Sequence, residues 1–434
     1  MSTARVRTLP FYLALARHLR DPVKALEQAG SAAGGELVRL NLGPFRPFLA
    51  THPDHVQHVL RTSQPNYLRE GMFWDPMIPL FGDGILADGE AWRESRKVLL
   101  PLFTARRVES LAGRMAEIIA ERIEATVRPG ERFDAVEKMS AIVHPTIIRL
   151  FFGDQISAED IARLLPAYDT AVTSKALRLA LPFVPESVPL PGDRAFRRSV
   201  AAINEVVYPR VREARARLQG ADDVVGALVK AWDDDGKIRD NVVSMHGAAT
   251  ETTATALTWV WPTLEAHPEL AGAVFEEIDR VVGKGPVRAE HLAGLVRLKS
   301  FLSELLRLYP VGWILPRRTV SDETVGGVTV TAGSTVIISP YLTHRLPEFW
   351  ERPLEFDPSR FEGQTRRHRF AYFPFGGGPH QCVGQHLFMI EAQLLLAGIL
   401  SRYRPVLHTR LPVTALPSFS LRTRQRVDLT LVAR

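Results

Sequence analysis

Residues 373–387 read FPFGGGPHQCVGQHL. A glycine triplet and a proline stand before an apolar stretch, and Cys382, the single cysteine of the 434-residue chain, sits at the junction. One cysteine cannot close an intrachain disulfide, so a disulfide framework is excluded. The paired cysteines of a zinc site are absent too. The apolar fraction of 46% and charged fraction of 24% are those of a globular protein. A chain this long buries a substantial core and still has room to enclose a large ligand.

Two chemistries suit a thiolate at a helix start, where backbone amides stabilise negative sulfur. It can be a nucleophile, with His380 two residues away as base, or a metal ligand. Gly376, Gly377 and Gly378 remove side chains, so a flat ligand can approach the backbone. With no second cysteine, a large cofactor must supply the remaining metal ligands, and haem is such a cofactor.

The net charge of +6, from 54 Lys+Arg against 48 Asp+Glu, is mildly basic. No run of five or six like charges appears, so no nucleic-acid partner is expected. Near the N-terminus, Arg5 and Arg7 precede a short apolar run. It contains Pro10 and Tyr12 and ends at Arg17, so it does not read as a secretory signal. No run of about 20 apolar residues predicts a membrane span, and the expected location is cytoplasmic.

Alternation at 37–42, a Gly43-Pro44 turn and a second strand precede a helix from Pro53. Apolar spacings of three and four predict helices across 104–180 and again from Arg194 to about Val282. The proline-rich stretch Leu181 to Asp193 reads as a loop. After Tyr309 short strands follow, with a turn at Gly326-Gly327. Helix returns from Gly384 to Tyr403, and a strand-like alternation ends the chain. The expected architecture is mainly α with small β-sheets, in one domain over 1–434, with 1–35 a partly flexible N-terminal segment.

The stretch from Phe375 through Gly378 and Cys382 to Gly384 resembles the FxxGxxxCxG haem-binding signature of the cytochromes P-450. The arginine usual two residues before the cysteine is His380 here. Four further matches appear in the family's order. Glu304 and Arg307 resemble its ExxR pair, spaced to meet on one helix face. Arg360 resembles the arginine that completes this structural network, although serine replaces the usual acid before it. Trp92 and Arg96 resemble a WxxxR helix that reaches a haem propionate, and Arg317 a second propionate partner. The resemblance implies haem b, iron protoporphyrin IX, between the cysteine loop with its helix and a distal oxygen-binding helix. Cys382 would be the axial ligand, and Phe375, Gly376, His380, Gly384 and Ala248 would flank the cofactor.

The distal helix resembles residues 242–261, where Ala248-Ala249-Thr250-Glu251-Thr252-Thr253 is similar to the family's (A/G)Gx(D/E)T(T/S) motif. Ala249 stands where glycine is common. The resemblance implies that Thr252 orders the distal oxygen and a water, and that Glu251 relays protons. It also implies a substrate wall of Phe73, Trp74, Met77, Ile78, Met245, Ala249, Val311, Trp313, Ile314 and Phe419. The loop SKALRLALPFVPESVPLPG would lie over the entrance.

Such a wall favours a lipophilic substrate. The expected activity is a haem-thiolate monooxygenase that uses O2 to hydroxylate an unactivated C–H bond, with a terpenoid of secondary metabolism as first choice. A fatty acid anchored by Arg69, or a polyketide or macrolide, is the alternative. A non-catalytic haem-thiolate sensor or binding protein is the alternative of another class. No nucleotide loop such as GxGxxG is convincing. Electrons from NAD(P)H are therefore expected through separate partners, a ferredoxin and its reductase or a flavodoxin. Arg93, Lys97 and Arg106 would lie on the docking face of a monomer.

Overall fold

The computed structural model describes residues 6–18, 21–153, 156–175, 177–178, 184–185, 187–217, 223–363 and 366–434. In chain order the helices are α1 (Phe11–Arg17), α2 (Pro22–Ala33), α3 (Pro53–Gln57), α4 (Ile78–Phe81) and α5 (Gly89–Leu99). Then come α6 (Ala105–Thr126), α7 (Ala135–Phe152), α8 (Ala158–Ser174), α9 (Asp193–Ala216) and α10 (Val224–Ala231). The last are α11 (Asp235–Ala266), α12 (Pro268–Val281), α13 (Val296–Leu308), α14 (Pro340–Thr343) and α15 (Gln385–Leu400).

Local sequence explains where several begin. The Thr104 hydroxyl accepts from the Arg107 amide and opens α6. Asp134 accepts from the amides of Val136 and Glu137 and opens α7. Ser157 and Asp160 cap α8 reciprocally. Along α6 the buried set Val108, Ala112, Met115, Ile119 and Ile123 repeats at three and four, the stripe that a core-facing helix needs. By contrast α11 and α15 are buried nearly all round. Both lie in the main apolar core with α6, α7 and α13.

The strands form a side layer. Strands β1 (Thr8–Leu9), β2 (Val38–Leu40), β3 (Phe48–Ala50), β4 (Tyr67–Leu68), β6 (Leu315–Thr319) and β9 (Thr335–Ile338) make one mixed sheet of order β1-β2-β3-β9-β6-β4. Strand β5 (Arg132–Asp134) joins β10 (Tyr403–Leu407) and β13 (Asp428–Ala433) in the order β10-β13-β5. Two hairpins remain, β7 (Glu323–Val325) with β8 (Val328–Val330), and β11 (Ala415–Pro417) with β12 (Leu421–Thr423). Gly326 and Gly327, at φ +55° and +80°, make the tight turn between β7 and β8, as expected for a two-residue hairpin loop.

Within the N-terminal segment, Val23, Leu26, Ala29 and Ala33 of α2 pack on Leu40, Leu49 and Ile337 of the sheet. A Cβ on Gly30 would fall 2.7 Å from Leu342 Cδ2, so that packing is close. Among the described residues the stretch Gly378–Leu400 is long and apolar enough to cross a membrane by length and composition. It is 67% buried in its most apolar window and is the core helix behind the cysteine. Much of the entrance loop, including 179–183 and 186, lies outside the described residues.

Candidate active site

The cysteine loop is fixed by backbone close approaches. A Cβ on Gly378 would stand 1.8 Å from the Leu60 carbonyl oxygen, and one on Gly377 2.4 Å from Phe370 Cε1. Gly378 also holds φ at +68°. Two of the three glycines therefore answer to packing within the protein, not to ligand access as expected. At Gly376 the nearest atom to an added Cβ is Leu315 Cδ1, at 3.9 Å.

The Cys382 amide donates to the Phe375 carbonyl at 2.9 Å. The cysteine keeps an exposed surface, yet burial pushes its thiol up, while the Gly384 amide and the Arg96 charge pull it down. Exposed surface on a group so enclosed places the sulfur on the wall of an internal cleft. In α11 the pattern is the same. Ala248 is exposed and Gly247, Ala249, Glu251 and Thr252 are half-buried, within a helix otherwise buried from 241 to 264. The Thr252 hydroxyl donates to the Ala248 carbonyl at 2.7 Å, and its lone pairs remain as acceptors.

Beside the cysteine loop an electropositive corner forms. Arg317 is 5% exposed and donates to the Pro316 carbonyl at 2.8 Å. Burial lowers it to about 10, against the pull of Asp88. Arg69 is lowered to about 9 by burial, with the charge of Arg317 adding and Asp88 opposing. Arg96 donates to the Gln381 carbonyl at 3.0 Å. Three guanidinium groups in one corner, two of which lower the third, with Asp88 as their counter-charge, fit an anionic ligand. Two propionates beside a thiol is the donor chemistry that haem requires, so the residues present fit it.

The Nε2 of His380 lies 2.7 Å from Asp88 Oδ1 and its Nδ1 3.3 Å from Gln64 Nε2. Its ring packs on Trp92 with centroids 4.1 Å apart. Burial lowers it to about 4 despite the Asp88 hydrogen bond. At neutral pH it is therefore neutral, with the proton on Nε2 for Asp88 and Nδ1 accepting from Gln64. These contacts on both nitrogens hold the ring beside the corner. Although burial works upward on Asp88, His380 and Arg69 hold it below the usual carboxylate range.

The Arg69 side chain is 7% exposed and donates to the Ala87 carbonyl at 2.5 Å. It faces the electropositive corner beside Arg317.

Glu304 and Arg307 pair as expected, at 2.7 and 2.8 Å with both side chains fully buried. Arg307 also donates to the carbonyls of His344, Pro353 and Glu355 at 2.7–2.9 Å. Arg360 Nε lies 3.4 Å from Glu304 Oε1. Sequence reasoning missed His344. Its Nδ1 donates to the Arg307 carbonyl at 3.2 Å and its Nε2 accepts from the Phe373 amide at 2.9 Å. It thereby ties the ion pair to the start of the cysteine loop. Burial takes it down to about 3, so it stays neutral. Only its apolar surroundings in sequence could have hinted at this.

The substrate-wall expectation divides. Met77, Met245 and Val311 are closed within the core at 3–7% exposure and offer a ligand almost no surface. Phe73, Trp74, Ala249, Trp313 and Ile314 are half-buried. Ile78 and Phe419 are open, at 53% and 42%. Trp313 Nε1 donates to the Ser418 carbonyl at 2.8 Å, and the Leu421 amide to the Val311 carbonyl at 2.9 Å. These bonds join two segments a hundred residues apart. On the surface Arg93 pairs with Glu90 at 2.7 Å, and Lys97 and Arg106 are exposed.

A sequence model described as Cytochrome P450 matches residues 10–427. The chain belongs to the cytochrome P450 family. This P450 is 32% identical over 401 residues to cyclooctat-9-en-7-ol 5-monooxygenase of Streptomyces melanosporofaciens, covering 89% of this chain and 85% of the relative. It is 32% identical over 431 residues to cyclooctatin synthase of the same organism, covering 95% and 90%. With pentalenene oxygenase of Streptomyces avermitilis it shares 28% over 415 residues, covering 93% and 91%. Its fold matches the haem domain of cytochrome P450DA with a TM-score of 0.88 at 23% identity, over 100% of this chain and 99% of the other. The P450 is a monooxygenase, and its family implies haem and an external electron supply.

Proposed function

We propose that this P450 hydroxylates a terpenoid scaffold; Cys382 would hold haem b through its thiolate, and Arg69, Arg96 and Arg317 would hold its carboxylates. The carrying observation is the Cys382 sulfur on the wall of an enclosed cleft, with the Gly384 amide and the Arg96 charge both favouring its anion. When bound, haem supplies the activation of O2 for insertion into a C–H bond. The chain's own residues then have separate tasks. The Gly384 amide and the start of α15 stabilise negative sulfur. Thr252, one turn beyond the exposed Ala248, offers its oxygen to a water in the cleft. Glu251, next to it on α11, carries a proton inward. The half-buried and open apolar residues Phe73, Trp74, Ile78 and Phe419 receive a hydrocarbon surface.

Three relatives whose printed names are those of cyclooctatin and pentalenene enzymes support the substrate class. The buried placement of Arg69 weakens the fatty-acid alternative. Electrons are supplied from NAD(P)H through a ferredoxin and its reductase, docking near Lys97 and Arg106.

Optical titration of the ferric protein with terpene hydrocarbons, terpene alcohols and fatty acids tests this. A saturable blue shift of the Soret band with terpenes alone is expected. A shift with fatty acids alone would overturn the substrate class. Cys382→Ala is expected to abolish monooxygenation, and retained activity would overturn the ligand assignment.

A further inference from the structure

Glu251 is held on one side only. Its Oε1 accepts from Arg422 Nε at 3.1 Å, from Arg422 Nη2 at 2.9 Å and from the Ser420 hydroxyl. Thr255 Oγ1 stands 3.5 Å from the same oxygen. Its Oε2 is buried and has no hydrogen-bond partner among the described residues. Four contacts on one oxygen and none on the other is an uneven division for a carboxylate, whose two oxygens together accept about four bonds.

The donors come from hairpin β11–β12, and the hairpin does not need this pair to stay in place. Its strands are in register from Ala415↔Thr423 to Pro417↔Leu421. Leu421, between Ser420 and Arg422, donates its amide to Val311 and accepts from Trp259 Nε1 at 2.8 Å. The scaffold is thus anchored on α11 by its own backbone, and it presents two side chains to one carboxylate oxygen. The open ring of Phe419 adjoins them in sequence.

We infer that Arg422 and Ser420 are positioning residues that fix Glu251 through Oε1 and leave Oε2 as the oxygen that exchanges a proton with the cleft. This rests on the reading of Glu251 as the proton carrier. Oε2 takes a proton from the solvent side and releases it inward, returning as the carboxylate that Arg422 holds. No electron moves in this step. Arg422 never touches the proton. Its function is to prevent the carboxylate from rotating and placing the occupied oxygen inward.

The test compares Glu251→Gln, Arg422→Gln, Arg422→Lys and the Glu251→Gln/Arg422→Gln double variant of the haem-loaded protein. The first measurement is infrared difference spectroscopy on the resting protein, with the Glu251 carboxylate band assigned by subtraction of Glu251→Gln. The second is NADPH oxidation through a ferredoxin and its reductase between pH 6 and 9. Arg422→Gln is expected to shift the Glu251 band and slow oxidation on the order of tenfold, a modest part of what acid–base groups contribute. Arg422→Lys should restore part of both. In the Glu251→Gln background the Arg422 change should have no further effect. An equal slowing in that background would overturn the inference, as would an unshifted band. Unchanged oxidation in Glu251→Gln would overturn the proton-carrier reading and the inference with it. A slow Glu251→Gln with a normal Arg422→Gln would overturn the inference alone.

Discussion

His380 and His344 are both neutral imidazoles used as two-ended connectors, with opposite nitrogens protonated. In His380 the proton on Nε2 goes to Asp88. In His344 the proton on Nδ1 goes to the Arg307 carbonyl. Each fixes its tautomer through the second partner, Gln64 or the Phe373 amide. His380→Phe keeps a ring against Trp92 and removes both polar links. Buried Asp88 then loses its contact with His380, so a loss of about 1–3 kcal/mol in urea unfolding is expected, with weaker retention of haem. Thr252→Ala removes an oxygen from the cleft and leaves the helix packing intact. Product formed per NAD(P)H should fall and hydrogen peroxide should appear. Unchanged coupling would remove Thr252 from its proposed role.

At the scale of elements, the cysteine loop is wedged between its neighbours. Gly378→Ala would drive a Cβ into the Leu60 carbonyl and force a non-glycine residue to φ +68°. The π-turn His58–Thr62, which carries Leu60, would have to move. A loss of about 2–4 kcal/mol and poor haem retention are expected, read by thermal melting and the Soret absorbance. A glycine needed for ligand access alone would leave the apo-protein of Gly378→Ala stable instead. The helices around this loop were legible because their apolar spacing and caps are local. Strand β5 was not. It has three residues, and its partner β13 lies almost three hundred residues further on, so no local alternation announces it. The cysteine, the Glu304–Arg307 pair and the Glu251-Thr252 pair stood out through their resemblance to short family motifs. Arg422, His344 and Asp88 did not, since each meets its partner only after folding.

The whole molecule carries buried titratable groups of both signs, which set its pH range. His344 and His144 are lowered by burial to about 3 and about 4. The unfolded chain binds their protons from about 6.5 downward, whereas the folded chain refuses them until much lower pH. Stability therefore falls as pH drops below about 6.5, each site contributing at most about 1.4 kcal/mol per pH unit. Glu391 works oppositely. Both its oxygens are buried without a hydrogen-bond partner among the described residues, and burial raises it to about 8. The folded chain keeps this proton while the unfolded chain releases it above its ordinary value, so stability declines as pH rises from about 4.5 to about 8. Urea midpoints measured from pH 4 to 9 should trace a maximum between these limbs. Glu391→Gln should flatten the alkaline limb and leave the acid one.

The Arg307 guanidinium has a consequence of its own. Beyond Glu304 it binds carbonyl oxygens at 344, 353 and 355, and a carbonyl is the same whatever side chain it carries. The network therefore reads the path of the chain and is blind to its spelling there. Substitutions at 353 and 355 should pass almost unnoticed, while one residue inserted between 344 and 355 would misalign every acceptor at once. A lineage carrying this arginine is free to rewrite positions 353 and 355, but not His344, Trp350 or the length of the segment.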